Sequence, residues 1–413
     1  MTDFVKKFEE SVEKNAAAMA AMSDDFAAHP EVSGTEKRTS AKLIEVLKAH
    51  GFDVTAPYKD IPYSFTALKG KKGGPKACIM VEYDALPEIG HACGHNLHGS
   101  MAVLAACALA PIVEETGGEL LVAGTPAEET NGAKVAMAEN GLFDDCAFAM
   151  MIHSSCGESI AAYRSLALSP WEFTFTGKTS HAAAAPWEGL NALNGLQLFF
   201  HAIDMLRQHV RPEVRMHGIV SYGGAAPNIV PERAVGQFYF RAPQNDYLET
   251  VVEKVFNCAR GAALATGTEV TWRRFELPFK DMTPNETAEK MAAELMESEG
   301  FKVSPCEGFM GSSDVGDVTY HCPAIQPELD ISAGKVFQAH TRDFAAATLT
   351  DAAHDAMRRG ARIIGKSVIR VLTEPELREQ MRADFEKNRR KTKIRHAAVL
   401  QRAALQRPRR RTA

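Results

Sequence analysis

Three histidines and one cysteine fall within the eight residues His91, Ala92, Cys93, Gly94, His95, Asn96, Leu97 and His98. Cys93 and His95 stand two apart with a glycine between them. A thiolate and an imidazole at that spacing can reach one divalent ion, with Zn–S about 2.3 Å and Zn–N about 2.0–2.1 Å. The bland alternative is a polar loop of hydrogen-bonded histidines. A second cluster, Thr125-Pro-Ala-Glu128-Glu129, sets two carboxylates side by side. That is costly unless something cationic sits between them. Beside a metal, one can ligate while the other holds a proton; alone, the pair reads as two surface glutamates opening a helix. His153 closes the apolar run Ala147–Ile152, and His340 stands in Gln338-Ala-His-Thr-Arg-Asp-Phe344. A lone histidine in either place is more often structural. Together the four segments supply one Cys, three His and one or two Glu, a set that suits two closely spaced zinc-like ions in a hydrolase.

These side chains need elements to bring them together. Apolar spacing through Phe4, Phe8, Val12 and Ala16 predicts a helix over 1–28, and a second helix is expected from Thr35 to His50. Ala77–Tyr83, Leu120–Ala123 and Ala147–Ile152 read as strands, and Leu97–Leu109 and Gly132–Glu139 as the helices between them. Such alternation argues for a mainly parallel sheet with helices on both faces, and ligands bind at the carboxyl edge of such sheets. From about Leu168 the pattern changes to alternating strands (Trp171–Thr176, Gly218–Tyr222, Gly236–Arg241, Glu269–Arg274) and two helices (Ala192–Arg207, Tyr247–Ala265). That is a small α+β unit, one sheet covered on one face. Past Pro284 the alternation resumes and runs to a closing helix near Ala345–Ile364. The expected organisation is α/β: a larger domain in two parts, 1–167 and 283–386, interrupted by a smaller inserted domain at 168–282, with a basic tail at 387–413 expected to be disordered.

With 45% hydrophobic and 24% charged residues, the 413-residue chain has the balance of a soluble globular protein. No apolar run reaches the ~18–20 residues of a membrane span. Eight thinly spread cysteines and a charged N-terminus without an apolar signal core point to a reducing cytoplasm. The net charge is −5, but the last 27 residues hold eleven Lys/Arg and no acid, which leaves 36 basic and 52 acidic residues elsewhere. An acidic body makes the chain a poor candidate for binding nucleic acid.

In its motifs the chain resembles the zinc aminoacylase and carboxypeptidase family, in its amidohydrolase branch. The matching residues are EYDALP at Glu82–Pro87, HACGHN at His91–Asn96, PAEE at Pro126–Glu129, His153, GKTSHAA at Gly177–Ala183, GGAAPNIVP at Gly223–Pro231, SSDVGDV at Ser312–Val318 and HTRDF at His340–Phe344. Asn96, where much of the branch has Asp, is similar to the subgroup of p-aminobenzoyl-glutamate hydrolase and the β-alanyl and basic-residue dipeptidases. The resemblance implies that Cys93, His95, Glu129, His153 and His340 hold two divalent ions, zinc foremost, with manganese or cobalt fitting the same ligands. It implies Glu128 as general base for a metal-activated water and Asp84 as the carboxylate that orients the ligands. His91 and His98 match no family ligand. The resemblance also implies that 1–167 and 283–386 form the catalytic domain and that the insert is a lid and dimerisation domain whose His181 loop reaches the partner's active site, with His181, Asn228 and Arg241 contacting substrate, and that Ser312 and Ser313 lie in a loop near the substrate carboxylate. The expected substrate is an N-acyl or N-aroyl amino acid or a dipeptide with a free carboxylate. Two rivals stand beside this reading: a metal-free thiol hydrolase using Cys93 and His95, and a non-catalytic binding protein on the same scaffold.

Overall fold

The structure, a computed structural model, describes residues 2–406. The chain divides into two compact units. One runs up to Arg164 and resumes over Met282–Arg389, and the other holds Ser165–Asp281 and the described residues 390–406.

The first unit is built on a six-stranded sheet in the order Asp53–Thr55, Phe65–Gly70, Glu119–Gly124, Lys76–Val81, Phe148–Met150, Ala324–Ile325. The last four strands are mutually parallel, and the first two add an antiparallel edge. Alternation of side chains along the pleat feeds two cores. Cys78, Met80, Leu121, Ala123, Ala149 and Met151 face one side, against Met137, Phe143, Val315 and Val318. Ala77, Ile79, Val81, Leu120, Val122, Phe148 and Met150 face the other, with residues of the helices Thr2–Ala28, His95–Leu109 and Asp351–Thr373. Helices therefore cover both faces.

Every residue of the His95–Leu109 helix is buried, as its apolar composition on all sides requires. Its neighbour Asp351–Thr373 comes close because residue 360 is glycine: a Cβ there would lie 2.4 Å from Met101 Sδ.

The parallel strands end on one edge, so the residues that follow them gather there: Glu82–Asp84 after Val81, Glu128–Glu129 after Gly124, and His153 after Met150. The strand expected over Ala147–Ile152 is shorter, Phe148–Met150. His153 does not close it but opens a further strand, His153–Ser155. There its N–H donates to Pro327 O at 2.8 Å, and the strand pairs with Glu328–Asp330 in a second small sheet.

The second unit carries an antiparallel sheet in the order Glu269–Arg273, Ala167–Thr176, Arg233–Ala242, Arg215–Tyr222. Phe173, Phe175, Phe238 and Phe240 form one core with Phe199 and Phe256 of the helices Ala192–Leu206 and Asn245–Thr266. Residues 387–406, expected to be disordered, continue the helix Pro375–Gln406. Lys, Arg, Gln, Ala and Leu are strong helix formers, and their charge does not outweigh that propensity. The rest of the expected tail, 407–413, lies outside the described residues. Among the described residues no helix is long and apolar enough to cross a membrane, and all eight cysteines are free thiols.

Candidate metal centre

Gly94 sets the spacing of the Cys-Gly-His step. Its φ is +83°, and a Cβ there would stand 2.7 Å from Ser154 Cβ, so only glycine fits. The turn aims Cys93 and His95 at the same space. Cys93 Sγ lies 3.5 Å from His153 Nε2. His95 Nε2 lies 3.9 Å from both Glu128 Oε2 and Glu129 Oε1. His340 Nε2 approaches Glu129 Oε1 to 3.5 Å. Ligand atoms of Cys93, Glu129 and His340 all fall within 4.8 Å of one another, as do those of His95, Glu128 and Glu129.

Hydrogen bonds assign the histidine tautomers. His95 Nδ1 donates to Asp84 Oδ1 at 3.0 Å, and His153 Nδ1 donates to Ser154 O at 2.9 Å. Each ring therefore directs its Nε2 at the cluster, the arrangement in which a carboxylate or carbonyl orients a metal-ligating imidazole. His98 is held the other way round. Its Nδ1 accepts from Ser154 N–H at 3.2 Å, and its Nε2 donates to Glu82 Oε2 at 3.1 Å, so both nitrogens are engaged. Burial pushes His98 down to about 3 and His153 to about 4, which keeps these rings neutral. Burial also opposes charge on His95, but the Asp84 carboxylate outweighs it and raises that ring.

Two atoms test whether a cation fits. His95 Nε2 and Glu129 Oε1 are buried and have no hydrogen-bond partner. A buried polar atom left unpaired costs roughly 1–3 kcal/mol, and here two of them converge beside a thiol and two further imidazoles. A thiolate, imidazole and carboxylate set suits a borderline-soft divalent ion. Burial, then Glu82 and Glu129, push the Glu128 carboxyl well up, so it is a proton-holding neighbour of the cluster.

The turns that carry these groups are strained. Ala127 and His340 both have positive φ, +59° and +62°. A non-glycine residue held there costs of order 1–3 kcal/mol, and such strain clusters at functional sites. The His340 N–H is tied to Ala92 O at 2.9 Å, and the Ala127 N–H to Glu36 Oε1 at 2.8 Å.

All seven residues expected as metal ligands, base or orienting acid (Asp84, Cys93, His95, Glu128, Glu129, His153, His340) thus meet in the first unit. Ser313 is there too, but its hydroxyl is engaged: it donates to Gln326 Oε1 at 2.7 Å and accepts from Val315 N–H at 3.2 Å. Ser312 is the more open of the pair. His181, Asn228 and Arg241 lie in the second unit. There Ala182 N–H donates to Asn228 O at 3.0 Å, which brings His181 and Asn228 together. His181 Nδ1 accepts from Ala183 and Ala184 N–H at 3.2 and 3.1 Å, leaving Nε2 as the protonated, exposed nitrogen. Arg241 sits on the Arg233–Ala242 strand with its guanidinium 5.7 Å from the Tyr239 ring.

Sequence reasoning missed the buried charge network behind the cluster. Lys134 is fully buried, with Nζ 2.6 Å from both Glu82 Oε1 and Asp314 Oδ1. Burial opposes its charge, but Asp314 and Glu82 hold the lysine protonated. A lysine inside the otherwise apolar run Ala133-Lys-Val-Ala-Met137 is the signal that could have found it.

A family model described as Peptidase family M20/M25/M40 matches residues 78–367. The chain is 32% identical over 416 residues to a Xaa-Arg dipeptidase of Mus musculus, covering 96% of this chain and 94% of the relative. It is 31% identical over 309 residues to one of the subunits of p-aminobenzoyl-glutamate hydrolase of Escherichia coli (strain K12), covering 70% and 64%. In fold it is similar to an aminobenzoyl-glutamate utilization protein from Klebsiella pneumoniae (TM-score 0.70, 18% identity, 88% of this chain and 98% of that one). It is also similar to the Bacillus subtilis YXEP protein, described as a dinuclear metal binding peptidase (TM-score 0.61, 18% identity, 86% and 99%).

Proposed function

This chain belongs to peptidase family M20/M25/M40, and from that premise we propose how its residues divide the work of a hydrolase acting on C–N bonds. Cys93, His95, Glu129, His153 and His340 hold two divalent ions, zinc foremost. The observation that carries this reading is the convergence of the buried, unpartnered His95 Nε2 and Glu129 Oε1 with Cys93, His153 and His340. Bound there, the ions would polarise an amide carbonyl and lower the pKa of water toward ~7.

Glu128 takes the proton from the attacking water and hands it to the leaving nitrogen. A carboxyl whose proton affinity is raised suits both transfers. Asp84 acts through two contacts: it fixes the His95 ring, and its Oδ2 accepts the Glu129 N–H at 3.1 Å. Arg241 forks onto the substrate carboxylate with paired hydrogen bonds. Asn228 and the protonated Nε2 of His181 donate to the substrate, and the Ser312–Ser313 loop offers backbone N–H groups. The substrate class is a dipeptide or an N-acyl or N-aroyl amino acid with a free carboxylate, in line with the names of the dipeptidase and aminobenzoyl-glutamate relatives. The working assembly is a homodimer through the second unit, in the cytoplasm.

The thiol-hydrolase rival gains one observation. Asp84 on His95 Nδ1 is the orienting third residue that such a mechanism requires. Against it, burial and Glu129 push the Cys93 thiol well up, the opposite of an activated nucleophile. It also leaves Glu129, His153 and His340 without a role. Assaying a panel of dipeptides and N-acyl amino acids with metal-loaded protein tests the proposal. Release of a free amino acid from at least one class is expected, and no turnover of any member would refute it.

A further inference from the structure

The segment Glu31-Val-Ser-Gly-Thr-Glu36 lies outside the 78–367 stretch matched by the family model, and none of the motifs includes it. It nevertheless grips both arms of the site. Val32 bridges Ala85, and the Ala85 N–H donates to Glu31 O at 2.9 Å, which ties the segment to the end of the Lys76–Val81 strand. Ser33 Oγ donates to Asp84 Oδ2 at 2.7 Å. Glu36 is fully buried, and its Oε1 accepts the N–H of Ala127 at 2.8 Å. The segment is itself anchored, because Glu31 Oε1 and Oε2 accept the N–H groups of Arg38 and Thr39 at 2.9 and 2.7 Å, at the start of the helix Lys37–Ala49.

Ala127 is the residue on which the Glu128–Glu129 turn pivots. Its φ of +59° is one that an alanine avoids unless its surroundings impose it. Downstream the turn is tied by Thr130 and Gly132 N–H groups to Ala127 O, at 3.2 and 2.7 Å. Upstream, the bond from the Ala127 N–H to Glu36 fixes the same residue. Without that acceptor the half-buried Ala127 N–H loses its partner, and the chain gains by rotating toward an ordinary φ, which swings both carboxylates.

We propose that Glu36 is a positioning residue: its carboxylate holds Ala127 in the left-handed conformation and so places Glu128 over the reacting water and Glu129 among the metal ligands. This rests on the roles given above to Glu128 and Glu129. Glu36 needs only an acceptor oxygen at the right reach, not a charge. Misplacing a catalytic group by about 1 Å can cost up to about 10²-fold in rate.

The test compares Glu36→Gln, which keeps an acceptor at the same reach, with Glu36→Leu, which has none, and Glu36→Asp, which keeps the charge one methylene short. Each is measured for kcat and KM on a hydrolysed dipeptide at saturating zinc. Zinc affinity is measured separately by competition with a chromogenic chelator. Glu36→Leu and Glu36→Asp are expected to lose about tenfold or more in kcat with KM within about threefold, and to bind zinc more weakly. Glu36→Gln is expected to stay within about threefold of wild type in both readouts. If Glu36→Leu does not fold, Glu36→Asp against Glu36→Gln decides. Wild-type kcat and zinc affinity in Glu36→Asp, or a Gln variant as impaired as the Asp variant, would overturn the proposal. If the wild type itself turns over no substrate, the functional reading fails, while zinc affinity still decides the role of Glu36.

Discussion

Glu128 and Cys93 carry the sharpest expectations at the scale of single residues. Glu128→Gln keeps size and shape but removes the proton acceptor, so kcat should fall about 10²–10⁴-fold with zinc content unchanged. Turnover near the wild-type rate would mean that the proton goes elsewhere. A metal-held Cys93 is shielded from alkylation, so iodoacetamide labelling read by peptide mass should rise at Cys93 after chelation and stay low in the zinc-loaded protein. Equal labelling in both states would remove Cys93 from the ligand set. The ligand types are legible in the sequence because thiol, imidazole and paired carboxylates are rare at such short spacing. Their supports are not. Glu36 reads as an ordinary surface charge and Lys134 as a lone lysine in an apolar run, and only the fold shows that each is buried against the site. Nothing local marks a residue whose partner is 91 positions away, as Glu36 is from Ala127.

At the scale of elements, the parallel strands and the buried helix are the parts that periodicity can find. Lys76–Val81, Glu119–Gly124 and His95–Leu109 all lie close to the runs read from apolar spacing. The edge strand Asp53–Thr55 and the two-residue strands at Ser159–Ile160 and Val303–Ser304 are too short to show a period of two. Apolar spacing puts His153 at the end of one strand when it begins another, because an apolar run does not record where the chain changes sheet. Close helix packing supplies a test at this scale. A valine at position 360 would drive its Cβ to about 2.4 Å from Met101 Sδ and 3.0 Å from Leu329 Cδ2. Gly360→Val should therefore cost roughly 1–3 kcal/mol, seen as a lower guanidinium midpoint with unchanged slope. An unaltered midpoint would show that the two helices do not need this contact distance.

At the scale of the whole molecule, the chain divides its residues between two units: the candidate metal ligands and base in one, His181, Asn228 and Arg241 in the other. If each active site takes His181 from the neighbouring subunit, mixing His181→Ala with Glu128→Gln protomers should restore activity that neither homodimer has. The ceiling is about a quarter of wild type when exchange is complete, since half the dimers are mixed and one of their two sites is intact. No recovery, with exchange verified by tags, would place His181 within its own subunit's chemistry. The central claim is metal-dependent hydrolysis at the Cys93–His95–Glu129–His153–His340 cluster. Its most direct measurement is turnover of one dipeptide before chelation, after chelation and after zinc is returned, with bound zinc counted at each stage. The expected result is activity that vanishes with the metal and returns in proportion to the zinc regained. Activity that survives with the zinc gone, and is then abolished by alkylating Cys93, would contradict the account and establish the thiol mechanism in its place.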